Sequence, residues 1–325
     1  MTNRVPVAGE QQVRVSTMRH EALDIISVEL IPYEASTLLP FTAGSHIDLH
    51  LPNGPTRSYS LMNPQGETHR YVLGIFRDPN SRGGSKYLHE QLRVGRVLSI
   101  SAPRNNFPLA EHAEHHLFIA GGIGITPFCC MLERLNVLRR NWELHYCVRT
   151  RDRAAFTDRL EQLAASGRGR VEYNFDAEPG GVMLDIPQQL SGAPPDTHVY
   201  CCGPSGMLQA FQAASASRPA QHVHFEYFSS TQTPVLSGGF TVVLARSNKR
   251  VYIPPGNTIL DVLLAEGIDV AYSCQEGICG ACETVVLAGE PEHRDMILTD
   301  EQHSSNKVMM ICCSGCKGKE ITLDL

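Results

Sequence analysis

The sequence predicts a multidomain chain: an antiparallel β-barrel, then a doubly wound α/β domain, then a small α+β domain. Three observations carry this. Up to about Asn105, apolar residues alternate with polar ones in short runs such as QQVRVSTM, IISVELI, SHIDLHL and YVLGIF, punctuated by Gly and Pro. That is the pattern of antiparallel strands. From HHLFIAGGIGITPF onward, short apolar runs alternate with amphipathic stretches, the pattern of a parallel sheet covered by helices. Beyond a Ser/Thr/Gly-rich stretch, six cysteines fall between Cys274 and Cys316. The expected boundaries are 1–107, 108–228, a linker at 229–239, and 240–325.

The 325 residues include 28 basic and 34 acidic side chains, a net charge of −6, and 42% are hydrophobic. A packed core is feasible and disorder is not expected. The charge balance argues against a basic nucleic-acid surface. No apolar run approaches the ~20 residues that span a bilayer. The start, MTNRVPVAGEQQV, lacks the apolar core of a signal peptide. The expected location is therefore the cytoplasm. There, eleven cysteines are expected to be free, metal-bound or redox-active rather than disulfide-bonded.

In the second region, HHLFIA reads as a strand, GGIGITPF as a glycine turn, and CCMLERLNVLRR as a helix. WELHYCVR is a buried strand and AFTDRLEQLAAS a helix ending near Gly167. VEYNF is a further strand. THVYCCGPSGMLQAFQAA repeats strand, glycine turn and helix. In the third region, FTVVLARSNKRVYIP reads as two strands about a polar turn. NTILDVLLAEG is a helix capped by Asn257 or Thr258 and stopped by Gly267. KEITLDL closes the chain as a strand.

Cys274, Cys279 and Cys282 form C-x4-C-x2-C, and 29 residues separate Cys282 from Cys312. This is the plant-type spacing for a [2Fe–2S] cluster held by four thiolates. Gly277, Gly280 and Ala281 are small and let backbone N–H groups approach the sulfurs. A rival reading pairs Cys279-x2-Cys282 with Cys313-x2-Cys316 as a four-thiolate zinc site, which strands Cys274. If KVMMIC is a strand running to the thiols, Cys312 and Cys313 point to opposite faces and do not share one cluster. Cys316, beyond a Ser-Gly turn, can in principle swing back.

The stretch from Phe240 onward resembles a plant-type ferredoxin domain, which implies a β-grasp fold. GEPEHRDMILTDEQ followed by MMICCSGCKG is similar to the same stretch in the phthalate dioxygenase reductase and vanillate demethylase reductase family. That resemblance implies Cys312 as the fourth ligand, with Cys313 and Cys316 as bystanders where the family usually has other residues.

PTRSYSLMN carries Arg57-Ser58-Tyr59-Ser60, similar to the R-x-Y-S pattern of the ferredoxin reductase superfamily. The resemblance implies a flavin. Tyr59 would cover the ring or flank the ribityl chain, Ser60 would hydrogen-bond near flavin N5, and Arg57 would meet phosphate with its planar fork. FRDPNSRGGSKYLHE puts Arg82, Gly83, Gly84 and Ser85 at the mouth of a predicted helix, where free N–H groups favour an anion. The family resemblance implies FMN rather than FAD, with Gly74, Ile75 and Phe76 as backbone contacts.

LFIAGGIGITPF contains Gly121, Gly122, Gly124, Thr126 and Pro127, after a predicted strand and opening a helix, as a dinucleotide turn requires. It is not G-x-G-x-x-G, but it resembles the G-G-x-G-x-T-P of ferredoxin reductase relatives. YCCGPSGM adds Cys202, Gly203, Pro204 and Met207, a turn that the resemblance places beside the nicotinamide. After LHYCVR come Arg149, Thr150, Arg151, Asp152 and Arg153. Arginines there can hold a 2′-phosphate, whereas an acidic residue favours NADH; the family resemblance favours NADH. HVHFEYF closes the region with Glu226 and Phe228, and the resemblance implies that Phe228 stacks on the flavin.

The resemblance spans essentially the whole chain. It implies the reductase of a two-component oxygenase, carrying electrons from NADH through FMN and a [2Fe–2S] cluster to a Rieske-type non-haem iron partner. Ser60, Cys202 and Phe228 would stand closest to the chemistry, and the chain would act as a monomer. Aromatic ring hydroxylation or O-demethylation is the expected setting. The alternative is a standalone NAD(P)H-dependent flavin or iron reductase, or a redox sensor, with no oxygenase partner. No acid/base pair is needed, so His20, His46, His115 and His116 are expected to be surface or packing residues.

Overall fold

Alternating apolar residues set the first strands, because successive strand side chains point to opposite faces. The computed structural model describes residues 10–230 and 232–325. They fall into two compact units that divide after Phe228. The first begins with β1 (Gln11–Ala22), β2 (Ile25–Pro32), β3 (His46–His50), β4 (Thr56–Ser60), β5 (Tyr71–Phe76), α1 (Gly84–Glu90) and β6 (Val97–Ile100). The strands form an antiparallel sheet in the order β4-β3-β6-β1-β2-β5. A bridge between Leu61 and Leu73 joins the β4 edge back to β5, closing the sheet as a barrel. Val13, Val28, Leu30, Ile47, Leu49, Leu73 and Ile75 are buried within.

The chain continues with β7 (His115–Gly121), α2 (Thr126–Leu138), β8 (Asn141–Val148), α3 (Thr157–Ser166), β9 (Arg168–Phe175), α4 (Ile186–Gly192), β10 (His198–Cys202), α5 (Ser205–Ser215) and β11 (Val223–Glu226). All five strands run parallel in the order β11-β10-β7-β8-β9. The chain starts at β7, winds outward through β8 and β9, then returns to the other side of β7. The switch point between β7 and β10 opens a crevice beyond their carboxyl ends, the usual ligand position in such sheets.

Strand alternation sorts the two faces of this sheet. Leu117, Ile119, Val199 and Cys201 pack with Ile186, Leu190, Leu208 and Phe211 of α4 and α5. Phe118, Ala120, Tyr200 and Cys202 belong to the other core, together with α2, α3 and the barrel residues. Barrel and parallel sheet therefore share one core and form one unit.

The second unit holds β12 (Phe240–Leu244), β13 (Lys249–Ile253), α6 (Ile259–Ala265), β14 (Glu283–Ala288), β15 (Pro291–Glu292), α7 (Asp300–Ser305), β16 (Val308–Met310), β17 (Gly315–Cys316) and β18 (Glu320–Leu323). Its mixed sheet has the order β13-β12-β18-β14-β16, with β12 and β18 parallel. Ile259, Leu260 and Leu263 of α6 pack into the same core as Val242, Ile253 and Ile321, a β-grasp arrangement. Of the stretch 229–239, the later residues are tied to this unit. The Val235 N–H donates to the Cys313 carbonyl at 2.8 Å, the Gly256 N–H donates to the Leu236 carbonyl at 2.8 Å, and Val235 is buried.

One expectation about the thiols changes. Strand β16 ends at Met310, and the N–H groups of Cys313 and Ser314 turn back to the Met310 carbonyl at 3.2 and 3.0 Å. Cys312 and Cys313 lie in a turn, so strand alternation does not separate them. Among the described residues no helix is long and apolar enough to cross a membrane.

Thr258 caps α6 in a reciprocal capping box with Asp261. The Leu260 N–H, an otherwise orphaned donor of the first turn, donates to the Ile311 carbonyl at 3.0 Å, one residue before Cys312. Thr258→Ala is expected to cost about 1 kcal/mol of stability. Urea unfolding of the full chain, followed by far-ultraviolet circular dichroism, would show the shifted midpoint.

Candidate functional site

The C-x4-C-x2-C loop lies between α6 and β14 and contains little regular structure. Cys274, Cys279, Cys282 and Cys312 are all buried and free of disulfides. Side-chain contacts link Cys274 to Cys279 and Cys312, and Cys312 to Cys282. Backbone amides point at the sulfurs: the Cys274 N–H donates to Cys279 Sγ at 3.5 Å and the Glu276 N–H to Cys274 Sγ at 3.3 Å. Four convergent thiols with amide donors suit a cluster that carries negative charge on its sulfurs. The facing Cys274 thiol, with burial, pushes the Cys279 thiol up, which disfavours its thiolate unless a metal neutralises it.

The two other thiols differ from each other. The Cys316 Sγ donates to the Glu320 carbonyl at 3.4 Å, away from the group, so the zinc pairing does not form. Cys313 touches Cys312 and lies over the loop. A methyl group on Gly277, whose φ is +72°, would sit 2.5 Å from Cys313 Sγ. Only glycine meets both demands at that position.

In the barrel, the structure brings together the two segments expected to hold an anion. A methyl group on Gly84 would lie 2.7 Å from Arg57 Cγ and 2.8 Å from its Nε, although the residues are 27 apart in sequence. The Asn53 side-chain amide donates to the Gly83 carbonyl at 3.2 Å, and the Arg57 Nη1 donates to the Thr56 carbonyl at 2.7 Å. Ser58 Oγ donates to Asp48 Oδ1 at 2.7 Å, and Arg104 Nη2 donates to Asp48 Oδ2 at 2.7 Å. The Ser58 hydroxyl thus donates into the barrel wall and keeps its acceptor lone pairs. Ser60 is buried at the end of β4, and burial keeps the Tyr59 phenol protonated far above its usual range. Arg82 and Ser85 flank the Gly83–Gly84 turn, and the Ser85 hydroxyl accepts from the Asp78 N–H at 3.2 Å.

At the switch point the two glycine turns meet. A methyl group on Gly121 would lie 2.5 Å from Pro204 Cδ and 2.9 Å from Met207 Sδ, and one on Gly124 would lie 2.1 Å from the Cys202 carbonyl oxygen. Gly122, at φ +55°, has open space over it. The turns pack together below while one backbone face stays open to a ligand. Thr126 and Pro127 begin α2 here. On the barrel side, a methyl on Gly74 would lie 2.6 Å from Thr126 Cγ2, so β5 and the nucleotide turn touch. Ile75 is buried in the barrel and Phe76 is half-buried after it.

Sequence reasoning underrated Glu226. Its Oε2 is buried without a hydrogen-bond partner among the described residues, although the residue as a whole is half-buried. It pairs with Cys202 across β10 and β11. Burial raises its carboxyl to about 8, so it holds a proton at neutral pH. Phe228, just beyond β11, is 39% exposed. The arginines after β8 also have partners that their own segment does not reveal. Arg149 Nε pairs with Asp176 at 3.2 Å, Arg151 with Glu178 at 3.1 Å, and Arg153 with Asp24 at 3.7 Å.

Residues 118–213 match the oxidoreductase NAD-binding domain family, and residues 242–317 match the 2Fe-2S iron-sulfur cluster binding domain family. The chain is 49% identical to tetrachlorobenzoquinone reductase of Sphingobium chlorophenolicum, over 100% of both chains. It is 43% identical to vanillate O-demethylase oxidoreductase of Pseudomonas putida, over 96% of this chain and 98% of the relative. Among solved structures, phthalate dioxygenase reductase superposes with a TM-score of 0.75 at 35% identity, over 98% of each chain. It is described as a modular structure for electron transfer from pyridine nucleotides to [2Fe–2S]. With the barrel, the nucleotide crevice and the cysteine loop in the same order, the chain belongs to the phthalate dioxygenase reductase and vanillate demethylase reductase family of oxidoreductases.

Proposed function

We propose that this chain is the reductase component of a two-component Rieske-type oxygenase acting on an aromatic or similar substrate. It takes a hydride from NADH onto FMN and passes electrons singly through a [2Fe–2S] cluster to the oxygenase. The contact of Gly74 with Thr126 carries this reading. It sets the barrel strand that would line a flavin against the turn that would bind a dinucleotide, and hydride transfer needs donor and acceptor in contact. The flavin supplies the conversion from two-electron to one-electron transfer. The chain acts as a cytoplasmic monomer that meets its oxygenase transiently. Its working divisions are 1–107 for flavin, 108–228 for nucleotide and 240–325 for the cluster, with 229–239 as connection.

The residues divide the work by chemistry. Arg57, with Arg82, Gly83, Gly84 and Ser85, holds the flavin phosphate. Tyr59, Ser60, Gly74, Ile75 and Phe76 border its ring and chain. Gly121, Gly122, Gly124, Thr126 and Pro127 receive the pyrophosphate, while Cys202, Gly203, Pro204 and Met207 flank the nicotinamide. Phe228 would cover the flavin where the nicotinamide must enter. Glu226 keeps a proton beside Cys202. The carboxylates Asp176 and Glu178 stand beside Arg149 and Arg151 and would repel a 2′-phosphate, which favours NADH.

A second reading rests on the tetrachlorobenzoquinone reductase relative. In it the chain reduces a small quinone directly, with no oxygenase.

Steady-state assays separate the two readings. With NADH, the holoprotein is expected to support turnover by a Rieske oxygenase of ring-hydroxylating or O-demethylating type, with a higher kcat/KM for NADH than for NADPH. Rapid quinone reduction with no turnover by any such oxygenase would establish the second reading instead. Cys312→Ser is expected to abolish the broad visible absorption of the cluster, while Cys313→Ser and Cys316→Ser keep it. A cluster lost in Cys316→Ser and retained in Cys312→Ser would overturn the ligand assignment. Because the Glu226 pKa rises from 4.5 to about 8 on folding, its burial is least costly below pH 4.5, and stability is lost as pH rises toward 8. Glu226→Gln should flatten that part of the stability profile, measured by denaturant unfolding at pH 5, 7 and 9.

A further inference from the structure

A second group of metal-binding side chains converges behind the cysteine loop. Asp295 is buried, and its carboxylate is held in place: Oδ2 accepts the Leu298 N–H at 2.9 Å. The next residue ties the segment to the loop, the Met296 N–H donating to the Gly277 carbonyl at 2.9 Å. His303 comes from α7, with Nε2 at 3.2 Å from both carboxylate oxygens of Asp295. His293 comes from just after β15, with Nδ1 at 3.6 Å from Asp295 Oδ1. The three ligand atoms lie within 4.8 Å of one another.

Hydrogen bonding alone leaves this arrangement incomplete. A 3.6 Å separation is too long for a hydrogen bond, and His293 Nδ1 is buried with no such partner among the described residues. Its other nitrogen, Nε2, lies 3.3 Å from Asn306 Oδ1. A ring nitrogen is thus aimed at a carboxylate that it does not reach, while the far side of the ring is oriented. That is the usual arrangement for a metal-ligating histidine.

We propose that His293, Asp295 and His303 form a binding site for a divalent first-row cation, zinc by its donor set, separate from the cysteine cluster. Tetrahedral zinc with bonds of about 2.0–2.1 Å sets ligand–ligand edges of roughly 3.3–3.4 Å. The two edges that meet at Asp295 Oδ1, 3.2 Å to His303 Nε2 and 3.6 Å to His293 Nδ1, bracket that value. Two imidazoles and one carboxylate make a site that leaves a position for water. An open cleft of about 790 Å³, lined by His293, His303 and Asn306, gives the cation access. Glu290 and Glu292 on its wall are ion-paired with Lys317 and Arg294, so the pull on the cation comes from Asp295 and the imidazoles. The competing arrangement is a His–Asp hydrogen bond with the second ring laid over the first, their centroids 4.5 Å apart. It calls for no metal.

The test uses holoprotein dialysed against zinc sulfate and then against zinc-free buffer, with zinc and iron counted per chain by plasma mass spectrometry. Wild type is expected to retain one zinc per chain with its iron unchanged. His303→Gln and His293→Gln should each retain less than a tenth of that zinc at the same iron content, which also certifies that they are folded. Three outcomes overturn the site: no zinc retained by wild type, equal zinc in wild type and both variants, or zinc gained only as iron is lost.

Discussion

At Gly74 a methyl group would sit 2.6 Å from Thr126 Cγ2 and 3.0 Å from both Met62 Sδ and the Phe156 ring. Strand β5 can therefore lie against the first turn of α2 only because one of its residues has no side chain. Much of the first unit follows from that contact. The barrel interior and the α2–α3 face of the parallel sheet merge into one core. The rim of the barrel is fixed next to the crevice between β7 and β10. Phe156, on the nucleotide side of the contact, has φ +63°, a conformation that costs a non-glycine residue about 1–3 kcal/mol and persists only where packing over-determines it. Its ring is buried in this same core.

The second unit uses the same device on a smaller scale. Gly277 lies between the Cys313 sulfur and the Asp295 backbone, with room for no more than a hydrogen. The loop bearing Cys274, Cys279 and Cys282 is thereby pressed against the turn that bears Cys312. The α6 cap holds that turn from the other side, through Leu260 and Ile311. Close packing, with backbone amides donating to the sulfurs, gives the thiols a fixed geometry. That is what a low-reorganisation electron carrier requires.

Much of this was legible in the sequence because it is local. Alternation in IISVELI and YVLGIF reports a strand with one buried face, and HHLFIAGGIGITPF reports strand, turn and helix in order. The cysteine spacing reports a loop around a cluster. Where the reading strayed, a local rule was carried past the element it governs. KVMMIC looks like a strand up to its cysteine, but backbone bonds to the Met310 carbonyl turn the chain two residues earlier. Cys313 consequently lies beside Cys312 instead of opposite it. His293 and His303 carried no signal of convergence in the sequence, because ten residues and a helix start separate them.

By itself, the sequence determined the order of the elements, the two glycine turns and the C-x4-C-x2-C loop. Each depends on residues within a few positions of one another, where backbone conformation and side-chain size decide the outcome. Tertiary structure alone decided which distant groups meet: Arg57 with Gly84, Gly74 with Thr126, Arg149 with Asp176, and Gly277 with Cys313. It also decided that Glu226 keeps its proton, since that depends on whether neighbouring strands exclude water from the carboxyl. Residue types state what chemistry is available, but desolvation and convergence are properties of the packed chain.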